Sequence, residues 1–122
     1  VTSMRSRGRR FEDIACGYLT GKGYKILDRN IYLMRKELDI VAMEGDTIVF
    51  VEVKGRRSSD YGSPFEAVGA VKRRRLVTAA TAYLKRRRLL DRPCRFDVVG
   101  VRLGPDGEPH FDHIRNAFEA DG

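Results

Sequence analysis

Residues 37–54 read Glu37-Leu38-Asp39-Ile40-Val41-Ala42-Met43-Glu44-Gly45-Asp46-Thr47-Ile48-Val49-Phe50-Val51-Glu52-Val53-Lys54. Two strand-like runs, Glu37 to Met43 and Thr47 to Lys54, flank Glu44-Gly45-Asp46, a turn sequence that signals a β-hairpin. With Gly45 and Asp46 as the central residues of a two-residue type II′ turn, Glu44 pairs with Thr47. Counting outward sets Val41 against Phe50, Asp39 against Glu52 and Glu37 against Lys54. Alternation then gathers Glu37, Asp39, Glu52 and Lys54 on one face. The other face carries Leu38, Ile40, Ala42, Val49, Val51 and Val53, is wholly apolar, and should pack on a helix.

Directly opposed residues of such a pair have Cβ atoms about 4.5–5.5 Å apart, and two carboxylates at that separation repel unless something compensates. A divalent cation is the natural compensation. Hard oxygen ligands, with no cysteine and few histidines nearby, favour Mg²⁺ or Mn²⁺ over zinc. Lys54, two residues beyond Glu52 on the same face, can supply positive charge or position a water beside the ion. A slip of one residue separates Asp39 from Glu52, and the acids and the lysine then simply solvate the outer face of an amphipathic hairpin.

Outward from the hairpin, Phe11, Ile14, Ala15, Tyr18 and Leu19 recur at helical spacing from Phe11 to about Thr20, and Gly21 and Gly23 stop that helix. Tyr24 to Asn30 reads as a short strand. Gly55 to Gly62 is polar and reads as an exposed loop. Ser63-Pro64-Phe65-Glu66 carries an N-cap, a first-turn proline and a capping-box acid, so a second helix is predicted from there to about Leu90, ended by Asp91-Arg92-Pro93. Arg95 to Leu103 alternates into a strand, Gly104-Pro105-Asp106-Gly107 turns the chain, and His110 to Arg115 returns antiparallel. The predicted order is α-β-β-β-α-β-β. On the second helix Val68, Lys72, Leu76, Ala79 and Tyr83 line one stripe, which gives Lys72 a core-facing position. A buried ammonium is costly unless it meets carboxylate or phosphate, so Lys72 either reaches the hairpin acids or a phosphate, or snorkels to solvent.

The 122 residues suit one domain, predicted over 11–118 behind a basic flexible arm at 1–10. Lys and Arg number 24 against 17 acids, a net charge of +7, and cluster at Arg5, Arg7, Arg9 and Arg10, at Lys72 to Arg75 and at Lys85 to Arg88. Clustered positive charge of this kind is the footprint of a nucleic-acid partner, with a merely solvated basic surface as the alternative. Arg5 to Arg10 and the Arg56-Arg57 loop are the better placed phosphate clamps, because the runs on the long helix spread around its circumference. Cys16 and Cys94 stand alone, so neither a disulfide framework nor a zinc knuckle is indicated. With strand-length apolar runs and no apolar h-region after the basic start, the expectation is a cytoplasmic protein with no membrane partner. His110 and His113, three apart in a strand, face opposite sides and are expected to have a structural or surface role. Asp97 is expected to be a satisfied edge acid.

Glu37-Leu38-Asp39-Ile40-Val41-Ala42 followed by Phe50-Val51-Glu52-Val53-Lys54 resembles the D…(E/D)-x-K signature of the restriction-endonuclease-like superfamily, in particular its archaeal Holliday-junction-resolvase-like branch. The fuller match, from about Arg9 to Phe118, is to the YraN family of that fold; it takes in Glu12, Gly23-Tyr24, Arg29-Asn30, Glu66-Ala67-Val68, Lys72, Arg95-Phe96-Asp97 and His113-Ile114. The resemblance implies an α/β fold with a mixed sheet of about five strands flanked by helices. It also implies a divalent metal held by Asp39, Glu52 and the Val53 carbonyl, Lys54 near the attacking water, and Glu12 entering the site from the first helix. Glu37 matches the acid that the family places before the motif aspartate. Leu38 stands where the superfamily carries its name-giving proline, and Lys36 and Phe11 stand where relatives commonly carry glycine. The implied activity is metal-dependent hydrolysis of DNA, structure-specific by analogy with the resolvases; resolvase-like action would need two active sites, hence a homodimer. A non-catalytic nucleic-acid-binding module of the same fold is the alternative, and a protein-interaction domain a weaker one.

Overall fold

The computed structural model describes residues 4–57 and 69–118, with side chains over 10–56 and 69–118. Helix α1 spans Met4–Gly21, β1 Lys25–Leu33, β2 Lys36–Glu44, β3 Thr47–Arg57, α2 Ala70–Arg86, β4 Cys94–Leu103 and β5 Pro109–Phe118. The five strands form one sheet in the order β1-β2-β3-β4-β5. All neighbours are antiparallel except β3 and β4, which run parallel. Parallel neighbours need a crossover, and α2 lies within that connection. The order is the predicted α-β-β-β-α-β-β of the restriction-endonuclease-like arrangement.

The hairpin register is as counted from the turn: Glu44 pairs with Thr47, Val41 with Phe50 and Ile40 with Val51. Gly45 alone of the two turn residues has positive φ, at 59°, as a type II′ turn requires. Strand β3 is covered on both faces. Ile48 and Phe50 join Leu76, Ala79 and Tyr83 of α2 in one apolar layer, whereas Val49 and Val51 join Ala15 and Leu19 of α1 in the other. Two-sided burial accounts for the unbroken run Ile48-Val49-Phe50-Val51, since a strand inside an α/β sandwich has no polar side to mark. Each such side chain contributes about 1.5–3 kcal/mol through burial.

Several boundaries differ from the sequence expectations. Helix α1 begins at Met4, earlier than the expected Phe11, so it takes in residues 4–10. It ends in a Schellman motif: Gly23, at φ 93°, donates to the Thr20 carbonyl and Tyr24 to that of Leu19. Strand β3 runs on to Arg57, so Gly55, Arg56 and Arg57 pair with Val101, Arg102 and Leu103 and are not loop residues. Strands β1 and β2 meet in a two-residue turn at Met34 and Arg35, both at positive φ, the pattern of a type I′ turn. Helix α2 starts at Ala70 behind an N-cap at Gly69; the cap signals at Ser63 to Glu66 lie outside the described residues, as do Val68 and residues 58–62 of the expected loop. It stops at Arg86, before Asp91, with Arg88 in the left-handed region and Leu89 donating to the Leu84 carbonyl.

Candidate active site

The β2–β3 ladder closes at Ile40 and Val51, and the next residues out are Asp39 and Glu52. Beyond that point the Val53 amide donates to Asp39 Oδ2 at 2.9 Å, which turns the aspartate along β3. Strand β1 bends at the same level. Its register, Arg29 against Ile40 and Ile31 against Leu38, brings Asn30 opposite Asp39, and Asn30 has φ 54°. Asparagine tolerates the left-handed region better than most residues, and the Asn30 side chain acts on Glu12, whose pKa it lowers against the effect of burial. The strict alternation expected along β2 therefore breaks. Leu38, expected beside Ile40 and Ala42, is buried instead in the α2 layer.

The consequence is two adjoining charge groups. On one side Glu12, Glu37 and Asp39 offer carboxylate oxygens that all lie within 4.8 Å of one another. Glu12 comes from a buried position on α1, and its Oε1 is enclosed without a hydrogen bond. Burial, with help from Glu37, raises the Glu12 pKa. Burial also raises Asp39, with the nearby Glu52 next in importance, to about 7 despite the Val53 amide. Both acids thus resist ionising unless positive charge arrives.

On the other side stands Glu52, buried on β3. Three ammonium groups converge on it: Lys72 from α2 at 3.0 Å, Lys54 from β3 at 3.7 Å and Lys36 from β2 at 3.7 Å. Lys36 also donates to the Glu37 carbonyl at 2.9 Å. Burial lowers the Lys54 pKa, and the adjacent Lys72 lowers it further, outweighing Glu52. For Lys72 burial works in the same direction, but its contacts with Lys54 and Glu52 prevail and raise it. Lys54 is the ammonium of this pair that releases its proton more readily.

Lys72 lies 3.0 Å from Glu52, the first of its two readings, while on the same expected face Glu37 is exposed and Asp39 is half-buried. Glu52, expected to share an ion with Asp39, stands near enough to raise its pKa and meets three lysines, while among the described residues the carboxylates of Glu12, Glu37 and Asp39 come together. Lys36, noted in the sequence only as a departure, and Asn30, noted only as a matched residue, prove to be part of the site. Of the expected phosphate clamps, Arg10 is exposed on α1 and Arg56 is half-buried on β3; the side chains of Arg5, Arg7, Arg9 and Arg57 lie outside those described. Asp97 is not at an edge. It is 1% exposed on β4, inside the sheet, and is met by Arg95 Nε at 2.9 Å, by His113 Nε2 at 2.8 Å and by the Asn116 amide at 3.0 Å. His113 is structural, as expected.

Residues 11–101 match the model of the uncharacterised protein family UPF0102. The chain belongs to that family. UPF0102 is the YraN family, to which the motifs already pointed. A UPF0102 protein of Symbiobacterium thermophilum is 47% identical over 95% of this chain and 98% of its own length. One from Syntrophotalea carbinolica is 51% identical over 96% of this chain and 94% of its own length. Among solved structures, that of Pyrococcus furiosus SfsA in complex with Ca²⁺ is similar at a TM-score of 0.41 and 16% identity, over 89% of this chain and 62% of that one. No helix among the described residues is long and apolar enough to cross a membrane.

Proposed function

We propose that this UPF0102 protein hydrolyses phosphodiester bonds of DNA with a divalent cation, Mg²⁺ or Mn²⁺, at Asp39. The observation that carries the reading is the convergence of Glu12, Glu37 and Asp39 from two elements, with Glu12 Oε1 enclosed and unbonded and Asp39 raised to about 7. Hard oxygen donors of this kind suit Mg²⁺ or Mn²⁺. Asp39 is common to this group and to the Asp39, Glu52 and Val53 set that the motif implies. A bound cation supplies Lewis-acid polarisation of the phosphate and acidifies a water.

The chain's own residues do the rest. Lys54, whose pKa burial and Lys72 lower, orients the attacking water through its Nζ. As the water oxygen bonds to phosphorus, the ester bond to one sugar breaks, leaving a phosphate monoester and a hydroxyl. Lys72, which keeps its charge, offsets the negative charge that gathers on the phosphoryl oxygens. Glu52 holds both lysines in place. A nucleic-acid-binding module without hydrolysis is the second reading, and the grip of three lysines on Glu52 favours it, because they compete with a cation for that carboxylate.

The test is cleavage of linear and four-way-junction DNA with Mg²⁺ or Mn²⁺. Asp39→Ala and Glu52→Ala should each reduce cleavage by more than about 100-fold, beyond the losses typical of residues that merely support a metal ligand. Binding without cleavage in wild type and variants alike would leave the second reading. A preference for the junction further requires two sites, hence a homodimer, which sedimentation would reveal.

A further inference from the structure

A cavity of about 580 Å³ opens beside Glu52, lined by Lys36, Gly69, Ala70, Val71, Lys72 and Arg75. Its three charged residues are all cations, and they come from two separate elements, β2 and α2. Lys36 and Lys72 already share Glu52 with Lys54, so three ammonium groups meet one carboxylate there, and Arg75 adds a further cation on the exposed side. The first turn of α2 contains no acid, and no side chain caps it at Gly69. Its amide groups therefore add to the positive field and do not oppose it. The volume lies within the range of about 300–1,000 Å³ of small-ligand clefts, and the exposed Val71 gives part of the wall an apolar surface suited to a sugar.

We infer that this cavity is a second phosphate subsite, which seats a backbone phosphate of the DNA strand next to the one at the carboxylates. Lys36 and Lys72 form the wall shared by the two sites, because both ammonium groups touch Glu52 on one side and line the cavity on the other. A strand crossing that wall presents one phosphate to the cation-binding acids and its neighbour to Lys36, Lys72 and Arg75. The inference rests on the nuclease reading for the identity of the strand, but the subsite itself needs no cleavage.

Arg75 is the residue to test, since it is exposed and outside the carboxylate site. Binding of a fluorescently labelled DNA duplex would be measured in EDTA across a salt series for wild type, Arg75→Ala, Lys36→Gln/Arg75→Ala and the control Lys25→Ala, which alters an exposed lysine at the start of β1, outside the basic clusters. Each phosphate contact contributes about −0.9 to the salt slope. Arg75→Ala should weaken binding by roughly three- to tenfold near 100 mM salt and reduce the slope by about one; the double variant should reduce it by about two. Lys25→Ala should leave both unchanged. Equal losses for Arg75→Ala and Lys25→Ala would overturn the subsite. Titration with inorganic phosphate alone, followed on the amides of Ala70 to Lys72, distinguishes a free anion from a strand: shifts there with no effect of Arg75→Ala on DNA would also overturn it. Absence of cleavage in wild type, alongside the expected loss for Arg75→Ala, would sink the nuclease reading and leave the subsite standing.

Discussion

Asp39 illustrates how one carboxyl can be made to wait for a partner. Its ordinary pKa of 3.8 describes the unfolded chain, whereas burial and then Glu52 raise it to about 7 in the fold. The folded state thus keeps a proton that the unfolded state gives up. The contribution of Asp39 to stability is full below pH 3.8, declines as pH rises from there to about 7 at up to about 1.4 kcal/mol per pH unit, and is flat above. A cation that needs the ionised form must displace that proton, so its affinity rises over the same window. Thermal melts at pH 5.5 and pH 8 with and without Mg²⁺ would show this. Without metal the wild type should melt lower at pH 8, Mg²⁺ should restore more at pH 8 than at pH 5.5, and Asp39→Asn should remove most of both effects. Equal gains from Mg²⁺ at both pH values would sink the linkage. Asn30 belongs to the same scale: its left-handed backbone places a side chain that acts on Glu12 opposite Asp39, a device no composition or spacing reveals.

Elements explain which parts of this architecture could be read ahead of the coordinates. The β2–β3 hairpin was legible because Gly45 permits the one positive φ that its turn demands, and the register then follows by counting. The β1–β2 turn was not, since Met34 and Arg35 adopt positive φ without the Gly or Asn that normally signals it. The core residues Lys54, Glu52, Asp39 and Lys72 of the candidate site were legible from alternation and helical stripe. Their division into a carboxylate group and a lysine-held Glu52 was not, because it depends on the strands parting beyond Ile40 and Val51. A close approach between elements shows the same limit. Phe11 of α1 lies flat on Gly55 of β3, where an added Cβ would come within 2.2 Å of its ring. Gly55→Ala should therefore destabilise the protein by about 1–3 kcal/mol in urea denaturation, the usual cost of overpacking. Combined with Phe11→Ala, the added methyl should cost much less, since the ring that it strikes is gone. A Gly55→Ala penalty of the same size in both backgrounds would place the strain elsewhere.

At the scale of the whole molecule, the carboxylate site lies where α1, β2 and β3 meet, and its precision depends on α1 being held to the sheet. Apolar contact supplies part of that hold, through Ala15 and Leu19. A polar tie supplies another. Asp97 accepts from Arg95, from the Asn116 amide and from His113, whose other ring nitrogen lies 3.3 Å from the Tyr18 hydroxyl of α1. Arg95 continues outward to Tyr24 at 2.7 Å and to Glu44 of β2 at 2.9 Å. One acid on β4 thus connects β5, α1, the start of β1 and the end of β2. Removing it would take one of its two carboxylates from the Arg95 guanidinium, 14% exposed, and the carboxylate partner from the His113 imidazole, 6% exposed. Breaking a buried pair in this way costs about 3–5 kcal/mol, whereas a change at an exposed acid such as Asp112 stays within about 0.5 kcal/mol. Asp97→Ala should accordingly lower stability in urea by several kcal/mol, and His113→Ala in that background should add little, because the two share one network. A loss for Asp97→Ala as small as that for Asp112→Ala, or full additivity with His113→Ala, would mean that the elements are held by apolar packing alone.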